Sequence, residues 1–171
     1  ANTGAVTFNT APDFEAPGDA DGDNAYQIEV TASDGTNTTA QAVTITVTNE
    51  NDNAPAFTSG ASASVGEGST AAYTATATDA DGDGVTYSIT GGADAALFSI
   101  DAATGAVTFN AAPDFEAPGD ADGDNAYQIE VTASDGTNAT AQAVTITVTN
   151  ENDNAPAFIS GPSASAAEGS T

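Results

Sequence analysis

The chain has 171 residues, of which 25 are acidic and none is Lys, Arg or His, so its formal charge at pH 7 is −25. A surface this negative disfavours nucleic acid and anionic membranes as partners, and the absence of Cys excludes disulfides and thiolate metal sites. Most acid–base and nucleophilic catalysis lacks its usual groups, so we expect no enzyme, and no apolar run is long enough to insert directly into a membrane.

A long internal repeat organises the chain. TGAVTFN occurs at residues 3–9 and 104–110, and residues 1–70 align without a gap with residues 102–171, at an offset of 101 and with seven differences. A period this long is typical of tandem β-sandwich domains and is too long for a solenoid unit.

The segment NENDNAPAF, at residues 49–57 and 150–158, has the Asn, Asp and Pro content of a domain boundary. We predict the C-terminal part of one repeat at residues 1–53, a complete repeat at 54–154, and the N-terminal strand of the next at 155–171. A partial repeat lacks partners for its strands, so we expect the chain to be a segment of a longer array.

The complete repeat shows β patterning throughout. In chain order, apolar and polar residues alternate over Tyr73–Thr78, Val85–Ile89, Val107–Phe109, Tyr127–Val131 and Val144–Val148. DGDG, TGG, DAATG and SDGTN separate these segments and are turn sequences. No sustained helical period is present, and the pattern predicts an antiparallel β-sandwich.

The acidic residues are concentrated in short motifs at predicted strand ends. Two carboxylates about 4 Å apart repel by roughly 1 kcal/mol in water and by about 4 at an effective dielectric near 20. Calcium reverses this cost, because it takes about six to eight oxygen ligands. A solvated acidic surface would not require such clustering. The motifs are Asp79-Ala-Asp81-Gly-Asp83, Asp114-Phe-Glu116, Asp120-Ala-Asp122-Gly-Asp124, Asp135-Gly and the segment Asn150–Asn154.

An EF-hand is the competing calcium motif. Asp79, Asp81 and Asp83, followed by Gly84, fit the first half of its loop, but Thr90 occupies the position of the bidentate Glu. Flanking helical patterns are also missing, so the EF-hand is rejected.

The motifs together resemble the cadherin superfamily, and most closely the cadherin-like repeats of giant bacterial surface adhesins. The resemblance covers nearly the whole chain. It implies tandem all-β, Ig-like Greek-key sandwiches with calcium-binding junctions, in an extracellular protein. It rests on Glu67 in VGEGS, Asp79-Ala-Asp81, LFSIDAATGAVTF, Asp114-Phe-Glu116, YQIEVTASDG ending in Asp135, and the linker Asn150-Glu-Asn-Asp-Asn-Ala-Pro.

The resemblance also implies calcium ligands at both junctions. At the first they are Asp13, Glu15, Asn51, Asp52, the carbonyl of Asn53, Asp79, Asp81 and Asp135, and at the second they are Glu67, Asp114, Glu116, Asn152, Asp153 and Asn154.

Three features depart from the family pattern. The first linker position is Asn49 or Asn150 where the family has Asp, which removes a charge and would weaken or delete one ion. Phe stands inside the Asp-x-Glu motif, where the family often has Arg. The loop Pro118–Asn125 carries an extra Asp triplet, which either binds a further ion or is simply solvated. Additional candidate ligands are the residues of this triplet, those of its upstream copy and the last Asp of the DADGD motif at 79–83: Asp120, Asp122, Asp124, Asp19, Asp21, Asp23 and Asp83.

Two functions remain open. Near-identical repeats favour a calcium-rigidified spacer, stalk or filament segment of a secreted or cell-surface protein. Its expected partners are calcium ions, neighbouring repeats of the same chain and, by lateral or end-to-end association, other copies of the protein. The alternative is an adhesive module for sugar, ice or another copy of itself, for which outward Thr145, Thr147 and Thr149 would form a ladder. β propensity explains these threonines more simply, as the solvent-facing side of a strand. Asn138-Ala-Thr140 matches a glycosylation acceptor, a short pattern that also arises by chance.

Overall fold

The structure is a computed structural model that describes residues 4–169. Residues 1–3 of the predicted upstream repeat and residues 170–171 of the predicted downstream strand lie outside the described residues. Within the described range no helix has the length and apolar character needed to cross a bilayer. The elements are β1 (Ala25–Ser33), β2 (Thr38–Thr46), β3 (Ala56–Phe57), β4 (Ser62–Gly66), β5 (Ala71–Thr74), β6 (Ala77–Thr78), β7 (Thr86–Gly91), a 3-10 turn (Ala95–Leu97), β8 (Phe98–Ile100), β9 (Ala106–Phe109), β10 (Ala126–Ser134) and β11 (Ala139–Thr149).

Two sheets form the complete repeat. One has the order β4-β11-β10-β7 and the other β5-β9-β8, while β3 and β6 make a short separate pair. Neighbouring strands are antiparallel except β4 and β11, which pair in parallel from Ser62↔Thr145 to Gly66↔Thr149. The all-β sandwich is thus confirmed, and the parallel pair is a feature that the alternation pattern did not predict.

The core lies between the two sheets. Alternate residues of β10 and β11 face inward, and Ile129, Val131 and Ile146 are at most 2% exposed. They belong to the same buried cluster as Phe98 and Val107 of the opposite sheet. Each fully buried aliphatic side chain contributes about 1.5–3 kcal/mol relative to exposure, so this alternation stabilises the repeat.

The upstream copy has nearly the same sequence but a different degree of burial. Its strands β1 and β2 form an antiparallel hairpin, and residues 4–24 form no strand. Val6 is 53% exposed, whereas its counterpart Val107 is 1% exposed. Val107 lies in β9, which pairs with β5 and β8, and the first 53 residues contain no counterpart of those two strands. Burial here depends on partner strands and not on local sequence.

The described residues 155–169 form no strand, and residues 155–168 are exposed without interruption. The partner strands that a following repeat would supply are not part of this sequence. The three predicted repeat ranges therefore stay predictions.

Candidate metal centres at the repeat junctions

The first junction gathers carboxylates from three parts of the chain. Glu15 comes from the loop before β1, Asp52 from the linker after β2, and Asp81 from the loop between β6 and β7. One carboxylate oxygen of each lies within 4.8 Å of the others. Residues on both sides of the linker thus meet at one point, and all three are among the ligands expected for this junction.

Asn53 supplies hydrogen-bond donors to this group. Its backbone N–H donates to Asp81 Oδ2 (2.8 Å), and its Nδ2 donates to Asp81 Oδ1 (3.1 Å) and Asp52 Oδ1 (2.9 Å). Partial burial acts to raise the pKa of Asp81, but the hydrogen bonds from Asn53 outweigh it and the pKa lies below its ordinary value. Desolvation by neighbouring atoms, together with the carboxylates of Asp81 and Asp52, raises the pKa of Glu15. The opposite shifts indicate crowded carboxylates with too few donors.

A second group adjoins the first and shares Asp81. Oxygens of Asp79, Asp81 and Asp83 lie within 4.8 Å of one another. Asp79 Oδ1 accepts the backbone N–H groups of Asp81 (3.0 Å) and Asp83 (3.3 Å). Asp79 Oδ2 is buried and has no hydrogen-bond partner among the described residues. A buried carboxylate oxygen without a donor is costly, and a bound cation would satisfy it.

The β10–β11 turn approaches the same linker. Partial burial would raise the pKa of Asp135, but hydrogen bonds from Asn138 and Thr137 lower it. Asn138 Nδ2 donates to Asn51 Oδ1 (3.0 Å) and to the Asn53 carbonyl (3.2 Å). The predicted ligands Asn51, Asn53 and Asp135 therefore lie together. Asn138 is not among the predicted site residues, because its sequence context matches only a glycosylation acceptor.

At the second junction, Glu67, Asp114 and Glu116 gather within 4.8 Å. Glu67 Oε1 accepts the Glu151 N–H and Oε2 accepts the Phe115 N–H, both at 2.8 Å, and these two bonds lower the pKa of Glu67. The carboxylate of Glu67 thus holds the start of the linker in place.

The two linkers differ in what they bring to these groups. Asn152, Asp153 and Asn154 are exposed, and among the described residues Asp153 joins no group of three carboxylates. Asn154 Nδ2 donates to neighbouring Asp153 (2.7 Å). Asp13 likewise joins no group of three in the described chain; its Oδ1 accepts the backbone N–H groups of Glu15 and Ala16. Whether these four bind an ion stays a prediction.

The two linker asparagines that depart from the family pattern act as donors. Asn150 Nδ2 donates to Glu116 Oε1 (2.6 Å), and Asn49 Nδ2 donates to the Asp81 carbonyl (2.8 Å). An Asp at either position would place an acceptor against an acceptor. The neutral Asn instead supplies a donor and avoids one further negative charge at the site.

The extra Asp triplets also form compact groups. Asp120, Asp122 and Asp124 lie within 4.8 Å of one another, as do Asp19, Asp21 and Asp23 in the upstream copy. Hydrogen bonding with Asp120 and repulsion by Asp124 raise the pKa of Asp122.

Asp94 fixes the position of this loop in the complete repeat. It is 4% exposed, and its two oxygens accept the backbone N–H groups of Ala121 and Gln128, each at 2.7 Å. No sequence motif indicates this role, because Asp94 lies outside every acidic motif.

Known proteins with the same β-sandwich architecture resemble this chain. The Cadherin domain family model matches residues 61–149. Among solved structures, mouse clustered PcdhgC3 EC1-3 is similar at 27% identity and a TM-score of 0.63, over 84% of this chain and 46% of that chain. Protocadherin Gamma B7 extracellular cadherin domains 1-4 are similar at 29% identity and a TM-score of 0.63, over 83% of this chain and 34% of that one.

Human Protocadherin-24 EC1-2 shares the fold at 23% identity and a TM-score of 0.62, over 83% of this chain and 70% of that chain. The chain spans less than half the length of the first two solved chains. No curated protein sequence matches it.

Proposed function

Because the chain belongs to the cadherin domain family, we propose that it is a calcium-rigidified structural segment of a long extracellular protein. The observation that supports this most directly is the meeting of Glu15, Asp52 and Asp81 within 4.8 Å. These residues come from the upstream repeat, the linker and the downstream repeat. An ion bound to all three cannot be held without fixing one repeat relative to the next.

Calcium suits these groups better than any counter-ion within the chain. The chain has no Lys, Arg or His, so no side chain can neutralise the clustered carboxylates. The groups offer carboxylate, amide and carbonyl oxygens, which are the ligands of a hard cation with a high coordination number. Glu15, Asp52, Asp79, Asp81 and Asp135, with oxygens of Asn51 and Asn53, would hold ions at the first junction, and Glu67, Asp114 and Glu116 at the second. Bound calcium supplies positive charge and bridges ligands; it performs no reaction here.

The protein that carries this segment is, in our proposal, a giant bacterial surface adhesin or filament. Seventy residues recur with seven differences at an offset of 101, and a spacer needs only the same module many times. An adhesive module would instead need a surface that differs from a plain strand face. The exposed Thr145, Thr147 and Thr149 alternate with buried Val144, Ile146 and Val148, as any half-buried strand requires. The spacer function is therefore favoured.

The test is the distance between spin labels on opposite sides of the linker. The chain has no cysteine, so Thr39→Cys on β2 and Ser64→Cys on β4, both exposed, label unique positions. We expect a broad distance distribution in chelator and a narrow one in saturating calcium. Both conditions contain molar NaCl and trimethylamine N-oxide, which favour the folded state without calcium. A control pair within the complete repeat, Ser64→Cys and Ser88→Cys, should then be as narrow in chelator as in calcium. Equal widths of the Thr39–Ser64 distribution in both conditions would refute the proposal.

A further inference from the structure

The side-chain amide of Asn138 lies where four oxygens converge. Its Nδ2 is 3.0 Å from Asn51 Oδ1, 3.2 Å from the Asn53 carbonyl oxygen, and 3.4 Å from both the Asn51 carbonyl oxygen and Asp135 Oδ2. Asn51 and Asn53 belong to the linker, 87 and 85 residues away in sequence. The amide therefore connects the β10–β11 turn to the junction.

The geometry is that of an acceptor-rich pocket around a single donor. A carboxamide nitrogen carries two hydrogens, so four oxygens must share two bonds. Neutral hydrogen bonds have N···O distances of about 2.7–3.2 Å, and the two contacts at 3.4 Å lie beyond that range. The same oxygens are ones that the proposed function assigns to calcium. We propose that Asn138 is a positioning residue, whose N–H groups hold the linker oxygens of Asn51 and Asn53 beside Asp135.

Such a residue lowers the cost of assembling the junction. Fixing the backbone of one residue costs about 1–2 kcal/mol of conformational entropy, and a linker that must order three residues carries that cost several times over. The hydrogen bonds that Asn138 makes to the linker restrict these residues, so the entropy cost that remains for ion binding is smaller. Without a donor at this position, the four oxygens would face one another with nothing positive between them.

The upstream turn shows that this arrangement is not a property of the turn alone. SDGTN recurs at residues 33–37, and there Asn37 Nδ2 donates to Asp34 Oδ2 (3.2 Å). Asn37 and Asn138 occupy equivalent positions, and both backbone N–H groups bond to the Asp of their own turn. In the described chain only Asn138 has a linker beside it. Asn37 is thus a matched control.

The test measures amide hydrogen exchange at Asn53 by NMR on the 171-residue chain. Exchange is recorded in chelator, with molar NaCl and trimethylamine N-oxide to favour the folded state. The Asn53 N–H is bonded to Asp81 and the linker must loosen before it exchanges. We expect Asn138→Ala to speed its exchange, relative to the core amide of Ile146, by about threefold to tenfold, as the loss of one or two net hydrogen bonds implies.

Asn138→Asp keeps the shape of the side chain and removes its donors. The Asn53 amide should therefore exchange at least as fast in this variant as in Asn138→Ala. Asn37→Ala should match the wild type. The inference is overturned if Asn138→Asp protects Asn53 as well as the wild type does, if Asn37→Ala has the same effect as Asn138→Ala, or if no variant changes the ratio. All arms are run without calcium, so this outcome is independent of the label-distance test, in which failure of calcium rigidification would appear.

Discussion

Asp81 connects two carboxylate groups at the first junction. It lies within 4.8 Å of Glu15 and Asp52 on one side and of Asp79 and Asp83 on the other. It also accepts two hydrogen bonds from Asn53. Loss of its carboxylate therefore affects both of these carboxylate groups at once.

Asp81→Ala should weaken calcium binding by at least about tenfold, which corresponds to ~1.4 kcal/mol. The melting temperature in calcium should fall, because less binding energy favours the folded state. In chelator we expect little change, since the lost bonds from Asn53 are offset by relief of carboxylate repulsion. Isothermal titration calorimetry and thermal unfolding measure both quantities.

The control is Glu29→Ala, which removes the same charge from an exposed position on β1 that belongs to no carboxylate group in the described chain. If Glu29→Ala weakened calcium binding as much as Asp81→Ala, net charge rather than the site would explain the effect.

The sequence motifs single out the acidic residues and the linker asparagines, but not the neutral partner Asn138. Carboxylates that are clustered in a sequence repel one another unless a cation binds them, so such clusters indicate a metal site. The structure places Glu15, Asp52 and Asp81 together. Asn138 carries no charge, and its contact with Asn51 spans 87 residues. Only folding brings the two together, so neither local pattern nor composition could reveal the contact.

Strands were predictable where the alternation of apolar and polar residues is long. Tyr127–Val131 and Val144–Val148 lie inside β10 and β11. TGAVTFN was less informative: Val107 lies in a strand and Val6 does not, although the seven residues are identical. β propensity expresses itself only where partner strands are available, so identical segments adopt different structures.

The same contrast gives a prediction for β2 and β11. Ile146 is fully buried, and its counterpart Ile45 is half-buried in the hairpin. Ile146→Ala should lower the free energy of unfolding by about 2–5 kcal/mol, because it removes packed methylene groups and leaves a cavity. Ile45→Ala should lower it by less than about 1 kcal/mol.

Urea denaturation of both variants in saturating calcium makes this comparison, since the two substitutions are chemically the same. Equal destabilisation would mean that the hairpin packs as tightly as the complete repeat and would contradict the burial difference.

The whole molecule carries its charge without any internal neutralisation. Calcium bound to the folded form stabilises it by RT ln(1 + [L]/Kd), about 2.7 kcal/mol for each ion at a hundredfold excess over Kd. Several ions would therefore supply most of the roughly 5–15 kcal/mol that stabilises a domain. Folding of the chain would then depend on the calcium available to it.

Circular dichroism of the chain should accordingly show a poorly folded protein in chelator at low salt and full β signal in calcium. Molar NaCl should restore only part of the signal, because it screens repulsion but cannot bridge ligands. A chain that is fully folded in chelator at low salt would show that calcium acts at the junctions alone.

The parallel pairing of β4 with β11 determines how the repeat bears tension. β4 follows the first linker and β11 leads into the second, so a pull along the array draws the two strands in opposite directions. The five residue pairs from Ser62↔Thr145 to Gly66↔Thr149 are then loaded in shear and share the force, instead of opening one after another as an unzipped hairpin does. Resistance to mechanical extension is thereby located in a short parallel ladder, away from the antiparallel strands that make up most of the fold.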